Sequence, residues 1–163
     1  MPITTNLFDL TGHVALVTGG NSGIGLGMAE GLAAHGATVA IWGTNPVKNT
    51  AAAAKLREHG GTVLDLVCDV GDHQAVIDSM KATVDALGRV DSCFVNAGVG
   101  GQAPSFVGMT EDEWHRVLRV NLDGAFYTAQ EAVKQMVAQG DGGSVVFTTS
   151  GSAYFGQQRG QHY

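Results

Sequence analysis

The sequence predicts an α/β protein, a doubly wound parallel sheet with helices on both faces. Two observations carry this. Short apolar runs alternate with amphipathic stretches along most of the chain, and parallel strands need such crossover helices. The apolar runs are also continuous rather than alternating, as strands buried on both faces should be.

The elements follow in order. His13–Thr18 (HVALVT) reads as a buried strand that enters a glycine-rich turn. Ile24, Met28 and Leu32 then recur at helical spacing up to Gly36. Thr38–Trp42 is the second strand. Asn45 suits a helix N-cap and Pro46 the first helical position, and this helix is expected to stop at Gly60-Gly61. Thr62–Cys68 is the third strand. Val76, Met80, Val84 and Leu87 mark a helix ended by Gly88, and Ser92–Val95 is the fourth strand. Thr110 to Glu113 has the form of a capping box. A long helical pattern follows through Trp114, Leu118, Leu122, Phe126, Ala129, Val133 and Met136, with room for a break. Ser144–Thr149 is the fifth strand, and Gly151–Tyr163 reads as loop.

The chain has 163 residues, which suits a single domain over 1–163. Its 24 glycines are about twice the usual share of roughly 7%. They are dispersed, which fits a backbone that approaches a ligand closely. The net charge of −6 and the scatter of the basic residues argue against a nucleic-acid partner. No apolar run reaches the roughly 18 residues of a membrane span, and MPITTNLFDLTGH shows no secretory pattern. A cytoplasmic location is expected. Cys68 and Cys93 sit in apolar runs and read as buried thiols. The six histidines show no metal-ligand spacing.

The chemistry starts at the first turn, where Thr18, Gly19, Asn21, Ser22, Gly23, Ile24 and Gly25 lie between strand and helix. Glycines allow a tight turn, and the helix behind it offers free N–H groups and a positive dipole end to a pyrophosphate. The spacing is T-G-x-x-x-G-I-G rather than G-x-G-x-x-G, and alone such a turn is a weak signal. Three later features share this spacing logic. Asp69-Val70 follows the third strand, Asn96-Ala97-Gly98 the fourth, and Ser150 and Tyr163 stand thirteen positions apart after the fifth. Taken singly, Asp69 is also a fair solvated turn residue, Asn96 to Gly98 an ordinary strand exit, and Ser150 a cap. Asn121, polar between Val120 and Leu122, needs a partner, which a purely structural contact could supply.

Together these residues resemble the short-chain dehydrogenase/reductase family, from Leu10 to the last residue. The resemblance implies a Rossmann-type sheet ordered 3-2-1-4-5-6-7 and an NAD(P) cofactor. It implies that Asp69 contacts adenine and that Asn96 to Gly98 stabilise the sheet beside the cofactor. Asn121, Ser150 and Tyr163 are the implied catalytic residues. Asn121 holds a water in the proton relay, Ser150 hydrogen-bonds the substrate oxygen, and Tyr163 exchanges its proton. The family motif is Y-x-x-x-K, and nothing follows Tyr163. A tyrosine with a pKa near 10 is ionised to only about one part in a thousand at neutral pH. The chain is therefore expected to be C-terminally incomplete, with strands six and seven missing, strand five a bare apolar edge, and turnover absent or severely reduced. A truncated, non-catalytic nucleotide-binding module or an inactive fragment stays open. The family's usual homo-oligomer is doubtful for this chain.

An acid at the end of strand two would favour NAD. Gly43 stands there, followed by Thr44, and neither repels a 2′-phosphate. Thr44 and Ser22 also lack the basic side chains of many NADP-dependent relatives. Either NADP(H) or NAD(H) is expected, with a lean toward NADP(H). Val99–Met109 and Gly151–His162 are the candidate substrate walls. Phe106, Met109, Tyr154 and Phe155 within them suit a partly apolar alcohol or ketone.

Overall fold

The computed structural model describes residues 7–155, 160, 162 and 163. The first six residues, read above for a leader, and positions 156–159 and 161 of the last loop lie outside the described residues. Five strands, β1 (Val14–Thr18), β2 (Thr38–Gly43), β3 (Val63–Val67), β4 (Ser92–Val95) and β5 (Ser144–Phe147), form one parallel sheet. Its order is β3-β2-β1-β4-β5, the part of the implied order that these strands can form. Val17 sits between Ile41 and Phe94 in register.

The helices are α1 (Gly23–Ala34), α2 (Pro46–Arg57), α3 (His73–Leu87), α4 (Glu111–Leu118) and α5 (Gly124–Gln139). Neighbouring strand residues face opposite ways, and the core divides accordingly. Ala15, Val17, Val39 and Ile41 pack with Ala29, Ala33, Ala53 and Leu56 of α1 and α2. Leu16, Ala40, Trp42 and Cys93 pack with Val76, Met80, Ala132 and Met136 of α3 and α5. Trp42 is fully buried, and its Nε1 donates to Thr83 Oγ1 at 3.1 Å. Both cysteines are free and buried. Burial pushes the Cys93 thiol up to about 12, so it packs as a neutral group.

Most predicted boundaries hold within two residues. Asn45 caps α2 by accepting from Lys48 N–H at 3.0 Å, with Pro46 in the first turn. The helix ends at Arg57, three residues before the predicted glycine stop. Gly60 N–H there bonds back to the Arg57 carbonyl at 2.9 Å, in a tight turn. The long helical pattern does break. Residues Arg119–Asp123 form a π turn in which Gly124 N–H donates to the Arg119 carbonyl. Strand five is shorter than predicted, and lies at the sheet edge with Val146 and Phe147 about half exposed.

Two ties fix β1 against β4, one at each end. At the entry, Asp91 Oδ2 accepts from Val14 N–H, and Asp91 N–H donates to the Val14 carbonyl, both at 2.8 Å. Ser144 N–H donates to the Asp91 carbonyl at 3.0 Å, which brings in β5. Arg89 holds the same carboxylate through Nε and Nη2. Burial alone would push the Asp91 carboxyl up. The hydrogen bonds from Arg89 and Val14 outweigh it and hold the group below the usual carboxylate range. At the exit, Thr18 Oγ1 accepts from Asn96 N–H at 3.0 Å and Ala97 N–H at 3.1 Å. Asn96 Nδ2 returns a bond to the Thr18 carbonyl at 3.0 Å.

Each tie yields a stability prediction. Asp91→Ala orphans Val14 N–H and should cost about 1–3 kcal/mol, read from urea midpoints at neutral pH. The folded-state value is depressed, so the Asp91 contribution is complete above the unfolded value of about 3.9. It is lost as pH falls through the lower folded value. Asp91→Asn should therefore flatten the acid limb of stability below about pH 4, and an unchanged limb would contradict this. Thr18→Ala should cost a similar amount, about 1–3 kcal/mol. Thr18→Ser keeps the acceptor and should recover most of it.

Candidate functional site

A cleft of about 600 Å³ opens over the carboxyl ends of β1 to β4. It forms where β1 leaves toward α1 on one face of the sheet while β4 leads on toward α5 on the other. Open α/β sheets bind ligands at such switch points. All the sequence candidates for cofactor contact line it except Thr18 and Gly23. Thr18 is 1% exposed and lies beneath the turn as the tie to Asn96 and Ala97. Gly23 begins α1 with φ of 54° and faces away from close neighbours.

The glycine turn is built for close approach. A Cβ on Gly25 would overlap the Gly19 carbonyl oxygen and the Asn96 amide, so the helix can press against the turn only without a side chain. Ser22, the N-cap of α1, makes no side-chain cap bond. Asn45, Asp72 and Thr110 do cap α2, α3 and α4. The first N–H groups of α1 thus stay available at the cleft, where an anion suits them.

At the end of β2, Gly43 has a spatial reason beyond its lack of charge. A Cβ there would overlap Asn21 Nδ2 and Asn49 Oδ1. Asn49, 1% exposed, donates to the Gly43 carbonyl at 2.9 Å and the Leu66 carbonyl at 2.8 Å, and accepts from Asn21 at 2.6 Å. It stitches β2, β3 and the glycine turn together. Sequence reading missed it, although it shares a helix face with Ala52, Ala53 and Leu56 at i+3, i+4 and i+7.

The third and fourth strand ends complete the walls. Asp69 accepts from Gly71 N–H at 3.0 Å and pairs with Arg119 at 2.9 Å. Thr148 Oγ1 donates to Asn96 Oδ1 at 3.1 Å. Arg116 and Arg119 line the cleft and were also missed, although they lie three apart on the helical stretch before Asn121. With Asp69 they are its formally charged lining residues. Among the described residues the cleft wall thus carries two cations and one anion, in a chain of net charge −6.

The three catalytic candidates occupy different positions. Tyr163 lines the cleft and is half exposed. Asn121 sits in the π turn, behind the wall. Its Oδ1 accepts from Val99 N–H at 2.8 Å and its Nδ2 donates to the Val99 carbonyl at 3.0 Å, so the amide pins the loop after β4. Ser150 caps the short 3₁₀ turn Gly151–Ala153, accepting from Ser152 N–H at 3.1 Å. Among the described residues, no hydrogen bond joins these three to one another.

The neighbour of Tyr163 is anchored. His162 is buried, and its Nε2 lies 3.1 Å from Glu113 Oε1. Glu113 serves this network rather than closing a capping box. Thr110 does accept from Glu113 N–H at 3.2 Å. The Glu113 carboxylate instead takes Arg116 at 2.7 Å and Gln102 N–H at 2.6 Å. These bonds, Arg116 first, then Gln102 N–H and His162, hold its carboxyl down to about 2. No described cluster of His, Cys, Asp or Glu could hold a metal ion. No described helix is long and apolar enough to cross a membrane.

Comparison with known proteins agrees with this geometry. The family described as short chain dehydrogenase matches residues 13–163. The chain is 38% identical over 152 residues to a sorbose reductase of Schizosaccharomyces pombe, covering 92% of this chain and 59% of that protein. It is 38% identical over 157 residues to an L-rhamnose 1-dehydrogenase (NAD(P)(+)) of a Sphingomonas species, covering 94% of this chain and 61% of that protein. The crystal structure of a short-chain type dehydrogenase/reductase from Mycobacterium marinum superposes with a TM-score of 0.92 at 34% identity. That match covers 96% of this chain and 64% of the other. The chain thus spans about three fifths of the length of these proteins. Sheet order, glycine turn and matched span agree, and the chain belongs to the short-chain dehydrogenase/reductase family of oxidoreductases.

Proposed function

We propose that residues 1–163 form one dinucleotide-binding domain of an NAD(P)-dependent oxidoreductase, which moves hydride between nicotinamide and a small alcohol or ketone. The observation that carries this reading is the uncapped N-terminus of α1, set at a cleft with a net cationic wall. A dinucleotide presents a pyrophosphate, and free helical N–H groups suit it. When bound, the nicotinamide supplies or accepts the hydride. Gly19, Asn21, Ser22, Ile24 and Gly25 would hold the pyrophosphate half. Gly43, Thr44, Asp69 and Val70 would hold the adenosine half. Asn96, Ala97 and Gly98 would form the floor toward the reactive end, with Thr18 and Gly23 shaping the turn.

Tyr163 is the proton-exchanging group in this reading, and Ser150 the partner of the substrate oxygen. Asn121 positions the Val99 backbone and with it the loop that faces substrate. Gly43 puts no carboxylate at the β2 end to repel a 2′-phosphate. This supports NADP(H) over NAD(H). A second reading, a nucleotide-binding module without turnover, is favoured by the want of a hydrogen bond between Ser150 and Tyr163 among the described residues.

Titration with NADPH and, separately, NADH tests the binding claim. Trp42 lines the cleft and Trp114 is partly exposed, so both can report by fluorescence transfer. Saturable binding with NADPH the tighter ligand is expected. No saturation in a folded sample would refute the reading. Turnover separates enzyme from module. A protein extended past Tyr163, with lysine at the fourth following position, should reduce ketones with NADPH. Tyr163→Phe in that protein should lower kcat by about 10²–10⁴-fold and leave NADPH binding intact. Binding without turnover in the extended protein would favour the module.

A further inference from the structure

We propose that Arg119 is a cofactor-positioning residue that packs its guanidinium plane against the adenine ring. The inference rests on the dinucleotide reading above. Arg119 lies in the π turn, lines the cleft and reaches Asp69 just past the end of β3. There it pairs with Asp69 Oδ2 at 2.9 Å. The carboxylate is itself fixed, because Asp69 Oδ1 accepts from Gly71 N–H. The arginine stem and guanidinium lie so close over Gly71 that a Cβ there would overlap three of their atoms. Gly71 thus closes one side of the Arg119 side chain, and Asp69 holds its edge. The side chain nevertheless keeps 46% of its surface exposed and lines the cleft.

A planar cation, anchored by one edge and backed by bare backbone, is preorganised to stack on a flat π system. The only such system in a nicotinamide dinucleotide at the β2–β3 end is the adenine. A surface arginine that served Asp69 alone would need neither the glycine beneath it nor a place in the cleft wall. The pair also leaves Asp69 with both oxygens engaged. Base recognition is thereby shared between the carboxylate and the arginine that holds it.

The test uses the full chain and three probes: NADPH, ADP, and reduced nicotinamide mononucleotide, which lacks adenosine. Arg119→Ala should weaken NADPH and ADP about fivefold to thirtyfold and leave the mononucleotide unchanged. Arg119→Lys keeps the charge but not the plane, and should lose nearly as much as alanine. Urea midpoints of both variants should match the wild type, since the Asp69 pair is half exposed. Equal NADPH affinity in wild type and Arg119→Ala would overturn the proposal. So would full retention by Arg119→Lys, which would make the contribution one of charge alone, or an equal loss for the mononucleotide. A wild-type chain that binds none of the three would overturn the dinucleotide reading and this inference with it.

Discussion

The site depends on holding β1 and β4 together at the point where their chains part. β1 runs on into α1 and β4 leads on toward α5, which pack on opposite faces of the sheet, so the chain leaves the two strand ends in opposite directions. The Thr18 hydroxyl bridges them by accepting from both Asn96 and Ala97 N–H. Asn96 then returns to the Thr18 carbonyl and accepts from Thr148 on the far side. One buried hydroxyl and one amide therefore set the floor of the cleft and carry β5 with it. A residue expected to touch ligand works from underneath, and the surface above it is made of backbone.

From that floor the walls follow by exclusion of side chains. Gly25 lets α1 press against the turn, and Gly43 admits the Asn21 and Asn49 amides. The Asn49 bridge links the end of β2 to β3. The glycine at the β2 end thus has a packing role. A carboxylate at position 43 would have to displace the Asn21–Asn49 pair. Charge acts in the same direction, because the cleft wall carries Arg116 and Arg119 in an otherwise acidic chain.

Much of this was legible in the sequence because its causes are local. Continuous apolar runs fix the strands, Asn45-Pro46 fixes the start of α2, and the glycine turn fixes the mouth of the cleft. The remainder depends on residues distant in sequence. The π turn arises where Asn121 must reach Val99, and helical periodicity carries no trace of that contact. Thr110 and Glu113 look like a capping box, but Arg116, Gln102 and His162 draw the carboxylate away. Arg119 could be noticed only once Asp69, fifty residues earlier, was placed beside it. Ser150 and Tyr163 became candidates by their spacing, and Asn121 as a polar residue in an apolar stretch, all three through the family resemblance. That no hydrogen bond joins them among the described residues was not legible, because spacing along a chain does not fix which side chains meet.

The central claim is that the uncapped α1 turn and the β4 exit form one dinucleotide site. Amide-resolved NMR during an NADPH titration tests it most directly. The account predicts saturable shifts at Asn21, Ser22, Ile24 and Gly25 together with Ala97 and Gly98, all fitting one dissociation constant. Shifts confined to other faces, or shifts at the two segments that fit different constants, would contradict it.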